Sequence, residues 1–321
     1  MSFTFRPGVR ENVGLLIGLV GPSGGGKTYT AMELASGIAG DKPFAVIDTE
    51  ARRALHYADR FRFDHGDLKP PFRPEAYTEA IKQADADGYP VIVVDSISHA
   101  HDGDGGLLDW HEEELQRMAG DDWKKRERCA QAAWIKPKAS HKRMVQRFLQ
   151  IRAHLILCLR AEEKTKMLKN EKGKMVPTNI GFKPICEKKL PYELTVSVML
   201  LPDNPGFPIP IKLQEQHREL FLPDQMVTAR SGALINKWAA GGEPAKLEDV
   251  ISAIQGAEDL ESLKKVGADL VGKQLRPDET KRAREAYRDR LDELRTSDSP
   301  CAAPDCDNPA VGDTFKCEVH Q

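Results

Sequence analysis

The chain has 321 residues, of which 40% are hydrophobic and 30% charged, and its formal net charge is −2 at pH 7. This length allows about two domains, or one large domain with appendages, and the balance of residue types excludes a mostly disordered chain. No segment approaches the ~20 consecutive apolar residues that a membrane helix needs. The first residues lack the charged-then-apolar layout of a secretory signal, so we expect a cytoplasmic protein with no membrane partner.

The charge is unevenly distributed along the chain. Residues 124–190 hold 19 Lys and Arg but 5 Asp and Glu, a net of +14, while the remainder carries −16. A basic segment within an acidic chain predicts a surface that binds a polyanion such as nucleic acid. The alternative is a solvated helix face followed by a charged hairpin.

A phosphate-binding loop is the strongest motif in the sequence. Residues 13–20 form the continuous apolar run of a buried parallel strand, and a helical pattern ending at Gly40 follows the loop. Backbone N–H groups of such a loop surround phosphate oxygens, Lys27 would reach the β- and γ-phosphates, and Thr28 would bind Mg²⁺. We therefore predict ATP and Mg²⁺ as cofactors. The loop comprises Gly21, Pro22, Ser23, Gly24, Gly25, Gly26, Lys27 and Thr28.

A second apolar run ends in an acidic residue. Residues 91–94 are β-branched and precede Asp95, which we expect at the carboxyl edge of the sheet beside the phosphate loop. There Asp95 would hold Mg²⁺ together with Thr28. The alternative for Asp95 is a helix N-cap or turn residue.

A third apolar run contains the candidate catalytic carboxylate. Residues 44–47 lead into Asp-Thr-Glu, with Glu50 at the end. Ser96 follows the aspartate of the other strand, where many ATPases carry a glutamate, so Glu50 is the candidate that orients or deprotonates the attacking water. The alternative for Glu50 is an ion pair with Arg52 or Arg53.

These motifs resemble those of the RecA family of recombination ATPases. They are similar to phage-encoded proteins that have only the RecA core and are described as AAA-family ATPases or single-strand annealing proteins. Segments 95–99, 134–139 and 154–160 are similar to the same group, so the resemblance spans about residues 10–240. It implies an α/β, RecA-like P-loop core with a mainly parallel sheet.

The resemblance also implies partners and an assembly. The partners would be single-stranded DNA and, as a further candidate, a single-strand-binding protein. The chain would form a homo-oligomer, either a ring or a filament, with ATP at the subunit interfaces. A phage-encoded protein of this kind acts in the cytoplasm of the host bacterium.

A further apolar run, residues 155–159, ends at Arg160. The resemblance implies that a polar residue at this place senses the γ-phosphate and is coupled to the DNA-binding loop that follows. RecA uses an amide here, so Arg160 would act through its charge instead. The alternative is an ion pair between Arg160 and Glu162 or Glu163.

The lysine-rich segment that follows is predicted to form a hairpin or mobile loop, with its turn at residues 170–173. It takes the place of the second DNA-binding loop of RecA-like proteins, and lysines at this density suit sequence-independent phosphate contacts. The alternative is an exposed edge hairpin that lysines keep soluble. Trp123 and Trp134 are predicted to be packing residues. The candidate DNA-binding residues are Lys164, Lys166, Lys169, Lys172 and Lys174.

The last strands of the core are predicted at residues 195–201 and 207–213, the second broken by prolines and therefore edge-like. The resemblance implies that a basic residue in this region reaches into the ATP site of a neighbouring subunit. Lys212 and Arg218 are the candidates.

Two appendages follow the core. Apolar residues recur at helical spacing over residues 245–295, which predicts a small helical interaction domain. We therefore divide the chain into an ATPase core at 1–241, a helical domain at 242–296 and a zinc-binding tail at 297–321.

The tail contains a metal-ligand pattern. Cys301, Cys306, Cys317 and His320 lie within 20 residues. Three thiolates and one imidazole complete a closed tetrahedral Zn²⁺ site of the structural type. The segment is too short to bury a core, so the metal would have to supply its folding free energy. The alternative is a disordered tail with free thiols.

Two functions from different classes fit these features. The one we favour is a DNA-stimulated ATPase that binds single-stranded DNA and promotes strand annealing or exchange in phage DNA metabolism. The other is a nucleotide-gated adaptor or helicase loader in phage replication. A small-molecule kinase shares the phosphate loop, but the Asp-Thr-Glu segment and the lysine-rich loop favour the first two.

Overall fold

An eight-stranded sheet organises residues 14–236 in the computed structural model of the chain. The strands are β1 (Leu16–Gly21), β2 (Phe44–Asp48), β3 (Phe63–Asp67), β4 (Val91–Asp95), β5 (His154–Lys169), β6 (Met175–Pro184), β7 (Val196–Met199) and β8 (Ile209–Lys212). Their order is β3-β2-β4-β5-β1-β7-β8, and β6 pairs with β5. β6 and β8 pair antiparallel, whereas all other pairs are parallel. The predicted α/β fold with a mainly parallel sheet is confirmed.

The structure describes residues 13–169, 173–241, 247–270, 275 and 277–297. Among these residues, no helix combines the length and apolar character needed to cross a membrane. The helices are α1 (Lys27–Ala39), α2 (Pro74–Ala86), α3 (His99–Asp102), α4 (Leu107–Ala119), α5 (Trp123–Ala133), α6 (Ile135–Phe148), α7 (Leu190–Glu193), α8 (Ala229–Ala239), α9 (Leu247–Gln255), α10 (Leu260–Leu270) and α11 (Pro277–Ser297).

Helices cover both faces of the central strands. β1, β2 and β4 are buried along their whole length, as continuous apolar runs in parallel sheets usually are. The buried side chains of α2 and α6 form one core cluster with residues on one face of the strands. Strand residues that alternate with this cluster, such as Ile17 and Val93, point to the opposite face, where α1 contacts the sheet.

The strand order brings the predicted functional residues to one edge of the sheet. β5 lies between β1 and β4, and the register aligns Gly21 with Arg160. β2 lies beside β4, and the register aligns Asp48 with Asp95. Open α/β sheets bind ligands at the carboxyl ends of their strands. This edge is therefore where a nucleotide site is expected.

Several strands differ from the sequence prediction. β1 begins at Leu16, because the predicted first residue, Val13, is 45% exposed and precedes the sheet. β7 and β8 are shorter than the segments predicted at residues 195–201 and 207–213. β3 was not predicted, because Phe-Asp-His-Gly-Asp contains no β-branched residue and lies at a partly exposed edge.

The two tryptophans of the basic segment have different environments. Trp134 stacks on His111 with ring centroids 4.2 Å apart, in agreement with a packing role. Trp123 is 67% exposed, so the predicted packing role is wrong for this residue. The reason is its position at the outer end of α5, whose buried residue is Ala133 at the other end.

The second compact unit contains the described residues from Lys237 onwards, together with Val13. Its described helices α9, α10 and α11 share a small apolar core. The residues buried in this core are Val250, Ile254, Ala257, Leu263, Ala283 and Leu294. The four predicted zinc ligands lie outside the described residues, so zinc binding stays a prediction.

Candidate nucleotide-binding site

The phosphate loop joins β1 to α1 in the geometry that its motif requires. Gly26 precedes the first residue of α1 and has a φ of 82°, a left-handed conformation that favours glycine. A Cβ atom at Gly25 would collide with the Leu200 carbonyl oxygen, because the loop packs against the chain that follows β7. The Lys27 ammonium donates to the Pro22 carbonyl oxygen at 2.8 Å. Backbone N–H groups and the positive end of α1 make this loop suitable for phosphate oxygens.

Thr28 and Asp95 meet at the predicted magnesium site. The Thr28 hydroxyl donates to Asp95 Oδ2 at 2.6 Å. Burial raises the pKa of Asp95 to about 6, and the nearby Glu50 and Asp48 carboxylates act in the same direction. The hydrogen bond from Thr28 and the charge of Lys27 oppose this shift. A hydroxyl and a buried carboxylate are hard oxygen ligands of the kind that Mg²⁺ prefers, so this pair suits the ion.

Asp48 shapes the turn that presents Glu50. Asp48 is fully buried, and one of its carboxylate oxygens accepts the Glu50 backbone N–H at 2.7 Å. The other oxygen accepts a second backbone N–H of the turn at 3.0 Å and lies 3.1 Å from His65 Nε2. Ala51 and Arg52 follow with φ values of 55° and 65°, which side-chain-bearing residues rarely adopt.

Glu50 has two neighbours that bear on its predicted role. Glu50 Oε2 lies 3.1 Å from Arg53 Nη1, so the ion pair that was the alternative for Glu50 does form. The Arg53 side chain is 70% exposed, and water screens such a pair strongly. Glu50 Oε1 lies 4.0 Å from His99 Nε2. The same carboxylate also lines the cavity described below, so the ion pair and a catalytic role are compatible.

Arg160 reaches the site from the edge of the sheet. Its backbone N–H donates to Ser98 Oγ at 2.9 Å. Its guanidinium Nη1 lies 3.3 Å from His99 Nε2. The Arg160 side chain therefore turns towards the nucleotide edge, instead of pairing with Glu162 or Glu163 as the alternative had it.

These groups line a cavity of ≈ 810 Å³. The predicted residues that line it are Ser23, Gly24, Gly26, Lys27, Thr28, Glu50, Asp95 and Arg160. Gly21, Pro22 and Gly25 belong to the loop but do not line the cavity. Its volume and its mixture of loop N–H groups, cations and carboxylates suit a nucleoside triphosphate with its metal ion.

Five further lining residues were missed by the sequence analysis: Tyr29, Arg53, His56, Tyr57 and His99. Tyr29 and Tyr57 form an aromatic wall, with ring centroids 5.9 Å apart. Tyr29 follows Thr28 directly, so its place in the first turn of α1 was a usable signal. The others reach the cavity through turns, which hydrophobic periodicity does not reveal.

The described lysines of the predicted DNA-binding loop do not line this cavity. Lys164, Lys166 and Lys169 are exposed on β5 beyond Arg160, and Lys174 is exposed just before β6. Lys172 is outside the described residues. In the part of the chain that the structure describes, no group of three or more His, Cys, Asp or Glu side chains is arranged to hold a metal ion.

The two candidate finger residues have different contacts. Lys212 Nζ donates to the carbonyl oxygens of Tyr192 and Leu194 at 2.7 and 2.5 Å, which ties it to its own subunit. Arg218 lies 3.1 Å from Glu215, and both side chains are more than 60% exposed, at 67% and 69%.

Comparison with known protein families agrees with this geometry. A family model described as AAA domain matches residues 14–200, which is more than half of the chain. The chain belongs to the AAA domain family. No curated protein matches it. Membership of the AAA domain family makes the chain a P-loop ATPase that binds and hydrolyses nucleotide, with Mg²⁺ as the expected ion. The matched range includes the phosphate loop, Glu50, Asp95 and Arg160.

Proposed function

We propose that this AAA domain protein is a DNA-stimulated ATPase that binds single-stranded DNA and promotes strand annealing or exchange in phage DNA metabolism. The observation that carries the proposal is the course of β5. The strand passes from the centre of the sheet through Arg160, which lines the nucleotide cavity, directly into the lysine-rich hairpin. Lys164 lies four positions after Arg160, roughly 13 Å along an extended strand.

The side chains on the hairpin surface favour binding of single-stranded DNA over the alternative, in which the lysines only keep an exposed edge soluble. Between its lysines the hairpin exposes four large apolar side chains. They are Met167, Leu168, Met175 and Ile180, with exposed fractions of 54%, 43%, 53% and 40%. A single-stranded nucleic acid offers phosphates to lysines and unpaired bases to apolar side chains, so both kinds of residue would be used.

The helices before β5 add positive charge. α5 and α6 expose eight basic side chains on their surface, which accounts for much of the excess charge of residues 124–190. Two of them pair with carboxylates, Lys136 with Glu114 and Arg143 with Glu75. The eight residues are Lys124, Lys125, Arg128, Lys136, Lys138, Lys142, Arg143 and Arg147. The Trp123 ring is exposed beside Lys124, whose ammonium lies 5.5 Å from the ring centroid. An exposed aromatic ring among cations is a plausible contact for an unstacked base.

The hydrolysis mechanism follows from the cavity. Lys27 and the loop N–H groups would neutralise the terminal phosphates, and Thr28 with Asp95 would hold Mg²⁺. Glu50 would orient the attacking water and accept its proton, because it lines the cavity and, unlike Asp95, is not assigned to the metal ion. Arg160 would contact the γ-phosphate and couple its presence to the hairpin.

Self-assembly is part of the proposal. Arg218 is the better candidate to reach a neighbouring subunit, because Lys212 is held by two carbonyl groups of its own chain. Arg218→Ala and Lys27→Ala variants would each be inactive alone. Mixing them should restore hydrolysis, since the Lys27→Ala subunit supplies Arg218 to its neighbour's intact site. No recovery at any mixing ratio would contradict Arg218 as a shared residue.

The function is tested by measuring ATP hydrolysis of the full chain with and without single-stranded DNA, and DNA binding at several salt concentrations. We expect stimulation by single strands, weaker stimulation by duplex, and binding that weakens as salt increases. Glu50→Gln should bind nucleotide but not turn it over. An ATP hydrolysis rate that DNA does not change, together with the absence of salt-sensitive DNA binding, would contradict the proposal. That result would favour the nucleotide-gated adaptor or helicase loader.

A further inference from the structure

His99 lies beside two of the charged side chains that line the cavity, those of Arg160 and Glu50. It is the first residue of α3, and its Nε2 lies 3.3 Å from Arg160 Nη1 and 4.0 Å from Glu50 Oε1. The Phe72 ring stacks on the imidazole, with centroids 5.2 Å apart and planes 27° from parallel. The His99 side chain is 15% exposed. The imidazole is thus held in one plane, with one nitrogen facing the cavity.

Thr49 contacts the other nitrogen of this imidazole. Thr49 Oγ1 accepts the Ser96 N–H at 2.8 Å, lies 3.1 Å from the Ser96 carbonyl oxygen, and lies 2.8 Å from His99 Nδ1. A hydroxyl has a single proton, and a carbonyl oxygen can only accept one. If Thr49 donates to the Ser96 carbonyl, His99 Nδ1 must be the donor in its contact with Thr49.

The contact with Arg160, at the other ring nitrogen of His99, requires the same tautomer. A guanidinium group only donates hydrogen bonds, so His99 Nε2 must accept from Arg160 and carries no proton. A neutral imidazole then has its proton on Nδ1, which is the arrangement that Thr49 also requires. The bonds run in one direction, from Arg160 through His99 and Thr49 to the Ser96 carbonyl oxygen.

We propose that His99 is a positioning residue of ATP hydrolysis, which holds the Arg160 guanidinium at the cavity and keeps it from pairing with Glu50. The inference rests on the proposed roles of Glu50 and Arg160. Glu50 already pairs with the exposed Arg53 guanidinium. A second guanidinium in direct contact would further stabilise the charged form of the Glu50 carboxylate and make it a weaker proton acceptor. The neutral imidazole engages the Arg160 guanidinium without adding charge, and its bond to Arg160 is weak enough to be exchanged for a charge-assisted bond to phosphate.

Two substitutions at His99 separate this role from packing. The Oε1 atom of Gln can take the place of Nε2 and accept from Arg160, whereas the shorter Asn side chain reaches only the place of Nδ1. Both substitutions remove the stack on Phe72. We expect His99→Asn to lower kcat about tenfold with the KM for ATP nearly unchanged, and His99→Gln to retain kcat within about threefold. Equal losses in both variants, or a loss confined to KM, would overturn the proposal.

A double-variant comparison tests whether His99 acts through Arg160. If it does, His99→Asn should slow hydrolysis no further once Arg160 is replaced by Ala, because the group that it positions is gone. Independent, multiplying losses would overturn the proposal. Binding of a fluorescent ATP analogue by each variant checks that the fold is intact. If His99→Asn fails this check, His99→Gln decides alone, since a tenfold loss of kcat in that variant also overturns the proposal.

The same assays distinguish failure of this inference from failure of the proposed function. Hydrolysis retained by Glu50→Gln would remove the assigned base, and absence of DNA stimulation would remove the DNA-dependent activity. Neither result depends on His99. Conversely, loss of coupling between His99 and Arg160 would leave the DNA-stimulated ATPase unaffected.

Discussion

The two halves of β5 serve opposite purposes within one strand. Residues 154–159 are buried, with parallel partners on both sides in β1 and β4. Residues 160–169 are exposed or half-buried, and from Ala161 onwards they pair antiparallel with β6. The first half is apolar after His154 and the second half is rich in lysine. Two sheet neighbours fix the position of the first half, so the second half leaves the sheet in a defined direction.

This difference indicates where coupling between nucleotide and DNA would lie. Arg160 is the residue at which the buried environment ends and the exposed one begins. It belongs to the cavity through its side chain and to the hairpin through its backbone. Variants that disable one half and leave the other intact therefore test the comparison directly.

The largest expected effect comes from the nucleotide half. Lys27→Ala should lower ATP turnover at least about 100-fold, because a cation that neutralises developing charge is lost. Binding of single-stranded DNA without nucleotide should stay within about twofold. Hydrolysis and fluorescence anisotropy measure the two effects. Lys42→Ala removes an exposed lysine just after α1 and should change neither. If Lys27→Ala lost DNA binding as strongly as ATP turnover, the nucleotide half and the DNA half of β5 would not be separable.

The complementary change neutralises the hairpin. Four lysines are replaced by Gln, namely Lys164, Lys166, Lys169 and Lys174. The DNA affinity should fall about 10- to 100-fold at low salt, and the slope of log affinity against log salt should become shallower by about 3. Basal hydrolysis without DNA should persist. The matched control replaces Lys264 and Lys265, two exposed lysines of α10. An unchanged salt slope would remove the hairpin from the DNA-binding surface.

A smaller effect concerns the metal and pH. Burial raises the pKa of Asp95 to about 6, so the proton competes with Mg²⁺ at a higher pH than at an ordinary aspartate. The apparent Mg²⁺ affinity should therefore fall about tenfold per unit as the pH decreases below about 6, and should level off above it. Mg²⁺ titrations of ATP hydrolysis measure this dependence. A pH-independent affinity between about pH 5 and 7 would contradict Asp95 as a ligand.

The smallest effect on hydrolysis is expected from the tail. The full chain should contain bound zinc, and Cys301→Ser with Cys306→Ser should release it, because a tetrahedral site needs all four ligands. ATP turnover should change by less than about twofold, since a closed site has no open coordination position. Elemental analysis of the purified chain measures the metal. A chain that contains no zinc when purified without chelators would favour a tail with free thiols.

Strong local patterns made much of the fold predictable. β1, β2, β4 and the buried half of β5 are continuous apolar runs, and their registers follow from parallel pairing. β3 was not predictable in the same way, because tertiary pairing with β2 overrides a sequence of low strand propensity.

The candidate site was predictable for the residues that end strands, and less so for those in turns. Lys27, Glu50, Asp95 and Arg160 line one cavity as their positions suggested. His56 and Tyr57 come from the short helical turn after β2, and His99 from the one after β4. Their contribution depends on the direction of each turn, which apolar periodicity does not encode. The position of His99 shortly after Asp95 was the available signal.

The turn that carries Glu50 is ordered before nucleotide binds. Asp48 satisfies two backbone N–H groups of this turn, and Ala51 and Arg52 hold an uncommon left-handed backbone. Such a conformation persists only where the surrounding structure imposes it. The carboxylate is therefore preorganised while the core folds, and the entropy of ordering it is lost before any nucleotide arrives. Binding then has less disorder to remove, which favours a rapid response of the site to its ligand.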